Sequence, residues 1–125
     1  MTIVNGVDFV SIPTTDLDRS VAFYGDTLEL ERSAYMPERN FAEFENGTVT
    51  FNIMDPVKMG VGEFARNANP VALNVADVAA ARQALEAKGL TFFGDTFDTG
   101  VCHMAFFADP DGNALMLHHR YAPRG

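Results

Sequence analysis

The chain has 125 residues, 47% of them hydrophobic and 21% charged, which is the balance of an ordinary soluble globular domain with room for a sizeable core. Nine basic residues against seventeen acidic ones give a net charge of −8, which repels polyanions and excludes nucleic acid as an expected partner. The single cysteine, Cys102, excludes an internal disulfide framework, and no apolar run approaches the ~20 residues that span a bilayer.

Met1 to Gly6 lacks the basic-then-apolar pattern of a secretory signal, so the expected compartment is the reducing cytoplasm. The excess of acid would attract a cationic ligand, or would simply keep the surface solvated. Val7 to Pro13 reads as a strand that stops at proline. Asp16 is a natural N-cap, and Leu17, Val21, Tyr24 and Leu28 then recur at helical spacing for roughly three turns. Strands are expected at Glu31 to Met36 and Phe41 to Glu45, followed by the Asn46-Gly47 hairpin signal and a strand from Thr48 to Met54. In that last strand Val49, Phe51 and Ile53 alternate with Thr50, Asn52 and Met54, giving one apolar and one mixed face. Asp55 to Asn69 has no clear period and reads as a linker or mobile loop.

The series then begins again. Val71 to Val75 reads as a strand, Asp77 caps a helix over Val78 to Lys88, Gly89 stops it, and Leu90 to Phe93 reads as a short strand. Val101 to Ala108 and Ala114 to His119 flank Asp109-Pro110-Asp111-Gly112-Asn113, which reads as a hairpin loop with Gly112 in the left-handed conformation. If Asp109 opposes Asn113, Phe106 opposes Met116, Met104 opposes His118 and His103 opposes His119. Met104, Phe106, Met116 and His118 then share one face, and His103 and His119 share the other.

The two halves overlay as an internal repeat. Phe9 to Asp16 matches Pro70 to Asp77 at a constant offset of 61, and Asn46-Gly47 matches Asp111-Gly112 at 65. Two strand–helix–strand–strand–strand units make an α+β fold in which each sheet buries one face and leaves the other bare. Bare faces brought together would enclose a cavity, and function is expected there.

Phe9-Val-Ser-Ile-Pro-Thr-Thr-Asp-Leu-Asp-Arg-Ser-Val-Ala-Phe-Tyr24 together with Asp109-Pro-Asp-Gly-Asn113 resembles the vicinal oxygen chelate superfamily. That group includes glyoxalase I, bleomycin-resistance proteins, fosfomycin-resistance enzymes and extradiol dioxygenases. The resemblance implies one domain over residues 1–125, with a βαβββ module over about 5–55, a linker over about 56–69 and a second module over about 70–121. It implies a glyoxalase/bleomycin-resistance-type mixed β-sheet cavity and a homodimer. Active members usually hold a divalent metal through His, Glu or Gln on the first and last strands of each module. The matching positions here are Phe9, Asn52, Pro70 and Met116. Phenylalanine and proline side chains donate nothing, a thioether is too soft for hard cations, and one amide oxygen is weak. No metal ligand and no cofactor are therefore expected, and a divalent metal only at a non-standard site.

The expected function is binding of a small organic ligand, aromatic or cationic, in an apolar cavity without the family's metal. Tyr35, Phe44, Met54, Met104, Phe106 and Met116 would wall that cavity, with Phe9 beside them, unless they are core between sheets. Ser11, Asn52 and Asn74 would fix polar groups of the ligand or hold buried water. His118 is the candidate catalytic residue, as a proton-transfer group facing the cavity, or else a solvated strand-end histidine. On that alternative the protein is a metal-dependent or His118-assisted lyase, isomerase or dioxygenase. A third reading is a non-catalytic dimeric interaction module. His103 and His119 could pinch a metal or form a packed pair, and Cys102 beside His103 reads as core rather than as a nucleophilic dyad. Glu29, Glu31, Glu38, Glu43 and Glu45 read as a solvated acidic face.

Overall fold

The computed structural model describes residues 2–124, divided into two compact units at Arg66/Asn67. In the first unit β1 (Phe9–Pro13) leads to α1 (Leu17–Ala22), then to β2 (Glu31–Met36), β3 (Phe41–Asn46) and β4 (Val49–Met54). The sheet order is β1-β4-β3-β2, with β1 parallel to β4 and the remaining pairs antiparallel. Asp16 caps α1 by accepting from the Arg19 N–H at 3.1 Å, and the helix runs on as a π-turn over Phe23–Thr27. Helix and π-turn together match the expected three turns. Tyr24 is fully buried and meets Phe51 edge-on, over a core of Ile12, Ala42, Phe44 and Ile53. The Asn46-Gly47 hairpin pairs Asn46 with Val49, and Gly47 takes φ 63°.

Asp55 to Asn69 is not wholly irregular. A short helix, α2 (Pro56–Met59), starts at Asp55, whose carboxylate accepts from the Lys58 N–H at 3.0 Å, and stops at Gly60 with φ 72°. One turn is too short to produce a hydrophobic period, so only its cap and its Asp-Pro start were present as signals.

The second unit repeats the plan with β5 (Val71–Asn74), α3 (Val78–Ala87), β6 (Phe93–Asp98), β7 (Cys102–Ala108) and β8 (Ala114–Arg120) in the order β5-β8-β7-β6. Asp77 caps α3, and Gly89 follows it with φ 96°. Leu73, Val78, Ala105, Phe107, Leu115 and Leu117 form its core. The strand expected at Leu90 to Phe93 is displaced: β6 begins where that expectation ended. Phe92 instead packs inward against Phe107 at 5.2 Å, while Gly94 and Asp95 sit in a register shift between Phe93 and Phe97. Strand pairing with β7 overrides the weak strand propensity of Gly-Asp-Thr. Among the described residues no helix is long and apolar enough to cross a membrane.

The Asp109 loop sets the register of β7 and β8. Asp109 Oδ1 accepts from the N–H groups of Asp111 and Asn113, Oδ2 accepts from Asn113 Nδ2 at 2.8 Å, and Asn113 Oδ1 accepts from the Asn67 N–H at 2.8 Å. Both side chains are buried, so each donor left without a partner would cost the full desolvation penalty. Asp109→Ala is expected to lower the stability of the second unit by about 2–3 kcal/mol in urea unfolding, with Asp109→Asn losing less. A loss below about 0.5 kcal/mol would contradict this role.

Candidate functional site

The helix-free face of the first sheet is built by pairing. Ser11, Asn52 and Glu43 stand side by side on β1, β4 and β3, and the next row along contains Pro13, Met54 and Phe41. Asn52 Nδ2 lies 3.5 Å from Ser11 Oγ. At this face Phe9, Phe41, Glu43, Asn52 and Met59 line a cavity of about 300 Å³. A larger depression, about 490 Å³, lies on the helix side between α1 and β2 and is lined by Asp18, Gly25, Asp26 and Arg32 among others. Only the smaller one contains positions to which the family resemblance assigns a role.

The second sheet presents two matching rows on its own helix-free face. Ala72, Met116, Phe106 and Phe93 form one, and Asn74, His118, Met104 and Phe97 the other. Every cross-strand partner expected from the Asp109 loop is observed, and the Asp109 N–H donates to the Asn113 carbonyl at 3.0 Å. Ala72 pairs with Met116 as Ser11 pairs with Asn52, so the 61-residue offset between Ser11 and Ala72 makes Asn52 and Met116 structural equivalents.

Two of the expected wall residues lie elsewhere. Phe44 pairs with Phe51 and is buried under α1, on the covered face. Tyr35 pairs with Ala42, also on that face, and its hydroxyl donates to Asp18 on α1 at 2.6 Å. That bond raises the Tyr35 pKa, because ionising the phenol would remove a donor to a carboxylate. The hairpin places both on one face: Met36 stands opposite Phe41 and Tyr35 opposite Ala42, two residues from Phe44, while the register shift between Arg32 and Ala34 affects only the start of β2. Conversely, Phe41, Glu43, Phe93 and Phe97 lie on the helix-free faces and Met59 of α2 lines the same cavity as Phe41, none of them expected in the wall, Glu43 being read from sequence as part of a solvated acidic face. For Phe41 and Glu43 the signal was available, since alternation from Phe44 places both opposite to it.

His103 and His119 pair across β7 and β8 as expected, and Asp98 extends the row. His103 Nε2 lies 3.4 Å from Asp98 Oδ2, its ring stacks on Tyr121 at 4.7 Å, and the Tyr121 hydroxyl donates to Asp98 Oδ1 at 2.9 Å. The Gly100 N–H, then the Tyr121 hydroxyl and His103, hold the Asp98 carboxyl below the usual carboxylate range. Its contribution to stability is thus present above the unfolded-state pKa and is lost as pH falls through the lowered folded value. Cys102 is buried, and as the strand neighbour of His103 it points to the opposite face. The Tyr121 pKa is raised chiefly by its bond to Asp98. Asp98→Asn is therefore expected to bring Tyr121 ionisation down toward that of a free tyrosine, read as the absorbance of phenolate during alkaline titration; an unchanged titration would count against the bond.

The family's metal can be tested against the side chains present. Phe9 heads β1, Pro70 immediately precedes β5, and Asn52 and Met116 occupy equivalent points on the last strands. Two of the four have no donor atom, and the other two are one amide and one thioether. Among the described residues no group of three His, Cys, Asp or Glu side chains is arranged to hold a metal ion. The usual donor set is not met.

Solved structures share this fold. A superfamily member from Sphaerobacter thermophilus DSM 20745 superposes with TM-score 0.79 at 21% identity, over 94% of this chain and 98% of its own. TnmS3, an antibiotic binding protein from Streptomyces sp. CB03234, gives 0.79 at 21% identity over 96% and 99%. Lactoylglutathione lyase from Agrobacterium tumefaciens gives 0.78 at 18% identity over 92% and 93%. No curated protein matches the chain in sequence. The family model matches residues 6–117, and with the duplicated βαβββ fold already established, the chain belongs to the Glyoxalase/Bleomycin resistance protein/Dioxygenase superfamily.

Proposed function

We propose that this chain binds a small organic molecule on a helix-free sheet face, without the divalent metal that active members usually hold. The observation that carries this reading is the side-chain chemistry at Phe9, Asn52, Pro70 and Met116, which leaves a cation without adequate donors. The rows of Phe93, Phe97, Met104, Phe106 and Met116 supply adaptable apolar surface, with Asn74 and His118 as isolated polar points. That one structural relative is an antibiotic binding protein supports binding as a use of this fold.

His118 stands in register between Asn74 and Met104 on such a face, which favours a second reading in which it moves a proton for a bound substrate. The binding reading expects ligand retention by His118→Ala, whereas the catalytic one expects turnover lost with the fold intact.

Native mass spectrometry of protein purified without chelator tests metal, ligand and subunit number together. The expected result is a homodimer without stoichiometric metal, and one tightly held Ni, Zn, Mn or Fe per chain would overturn the metal-free reading. Binding of the neutral dye Nile red is expected to be unchanged by EDTA and weakened about tenfold or more by Phe106→Ala, the scale of one lost aromatic side chain.

A further inference from the structure

Among the described residues lining the cavity on the helix-free face of the first sheet, only Glu43 carries a formal charge. Glu43 is half-buried, and among the described residues it makes no hydrogen bond or ion pair. Its neighbour along the same face, Glu45, is already engaged: its carboxylate accepts from the hydroxyls of Ser33 and Thr50, which lower its pKa. The Glu45 carboxylate is therefore held internally, whereas that of Glu43 is partly withdrawn from water with nothing to balance it.

Phe9 and Phe41 stand at the same cavity, and the faces of phenyl rings attract cations. Asn52, opposite Glu43, offers an amide oxygen, and Met59 adds a polarisable thioether. Among the described residues no lysine or arginine lines the cavity, and the chain's net charge of −8 favours a positively charged visitor. One carboxylate and one amide make a poor cage for a metal ion but a good seat for an ammonium group, which needs one counter-ion and apolar surroundings for its body.

We propose that this cavity binds an organic cation, an ammonium group on an apolar body, with Glu43 as its counter-ion and Phe9 and Phe41 as its aromatic walls. The inference rests on the reading that this face takes a small organic molecule and adds the charge of that molecule and the residue that selects it. It also moves Glu43 out of the solvated acidic face in which the sequence groups it.

Calorimetric titration of the full chain with phenylbutylammonium, phenylbutanol and phenylbutyrate tests it, because the three share one apolar body and differ in head group. Ammonium is expected to bind about tenfold more tightly than alcohol, the scale of one charge-assisted hydrogen bond, and carboxylate most weakly. Glu43→Gln should bring ammonium within about twofold of alcohol. Glu31→Gln, on exposed β2, removes the same charge from the same unit and should preserve the preference. Alcohol binding as tightly as ammonium, a preference that survives Glu43→Gln, or one lost equally in Glu31→Gln would each overturn the inference alone. Failure of all three compounds to bind would overturn the ligand-binding reading of this face as well.

Discussion

Hydrogen-bond register decides which side chains share a surface in this protein, and everything said of its function passes through that constraint. A strand has only two faces, so pairing one residue early or late exchanges them completely. The Asp109 carboxylate pins the register of β7 and β8 by binding two backbone N–H groups and the Asn113 amide at once. Asn113 then reaches Asn67, tying the loop to the chain segment that enters β5. With those bonds made, Met104, Phe106, Met116 and His118 have no alternative to a common face.

The same geometry lets the two halves be compared position by position. Each half pairs its first strand in parallel with its last, and the equivalent pairs Ser11–Asn52 and Ala72–Met116 carry four small or weakly donating side chains. Asp16 and Asp77 cap equivalent helices, so the duplicated scaffold is kept while the side chains at its centre differ from a metal-binding set. Scaffold and site are maintained by different interactions, which is why the family's architecture persists across unlike chemistry.

Much of this was legible in the residues because it depends on local chemistry. Helix caps, the Asn46-Gly47 and Asp109 hairpins and the duplication all follow from short-range preferences, and the structure contains each of them. Tyr35 is the instructive exception. It shares the helix-covered face with Ala42 and Phe44, where its hydroxyl bonds Asp18, while Ser33 just upstream is taken up as an extra residue. Nothing in Glu-Arg-Ser-Ala-Tyr marks that extra residue, because the partner that stabilises it, Glu45, is twelve positions away. Phe44 is different: its parity with Phe51 was readable from the hairpin, so its burial under α1 follows from information already in the chain. The placement of β6 was not readable, since Gly-Asp-Thr acquires strand conformation only from the β7 edge beside it.

The Ser33 irregularity also bears on the border of its sheet. It lies in β2, an outer strand of its sheet, and β6, an outer strand of the other, is also interrupted by a register shift, between Phe93 and Phe97. A straight outer strand offers a row of free amide and carbonyl groups on which a foreign chain can template itself, and kinks spoil that match. The remaining outer strands, β1 and β5, are only five and four residues long. Broken or abbreviated borders thus guard both sheets against stacking into fibres, a safeguard that a mere count of hydrophobic residues would never reveal.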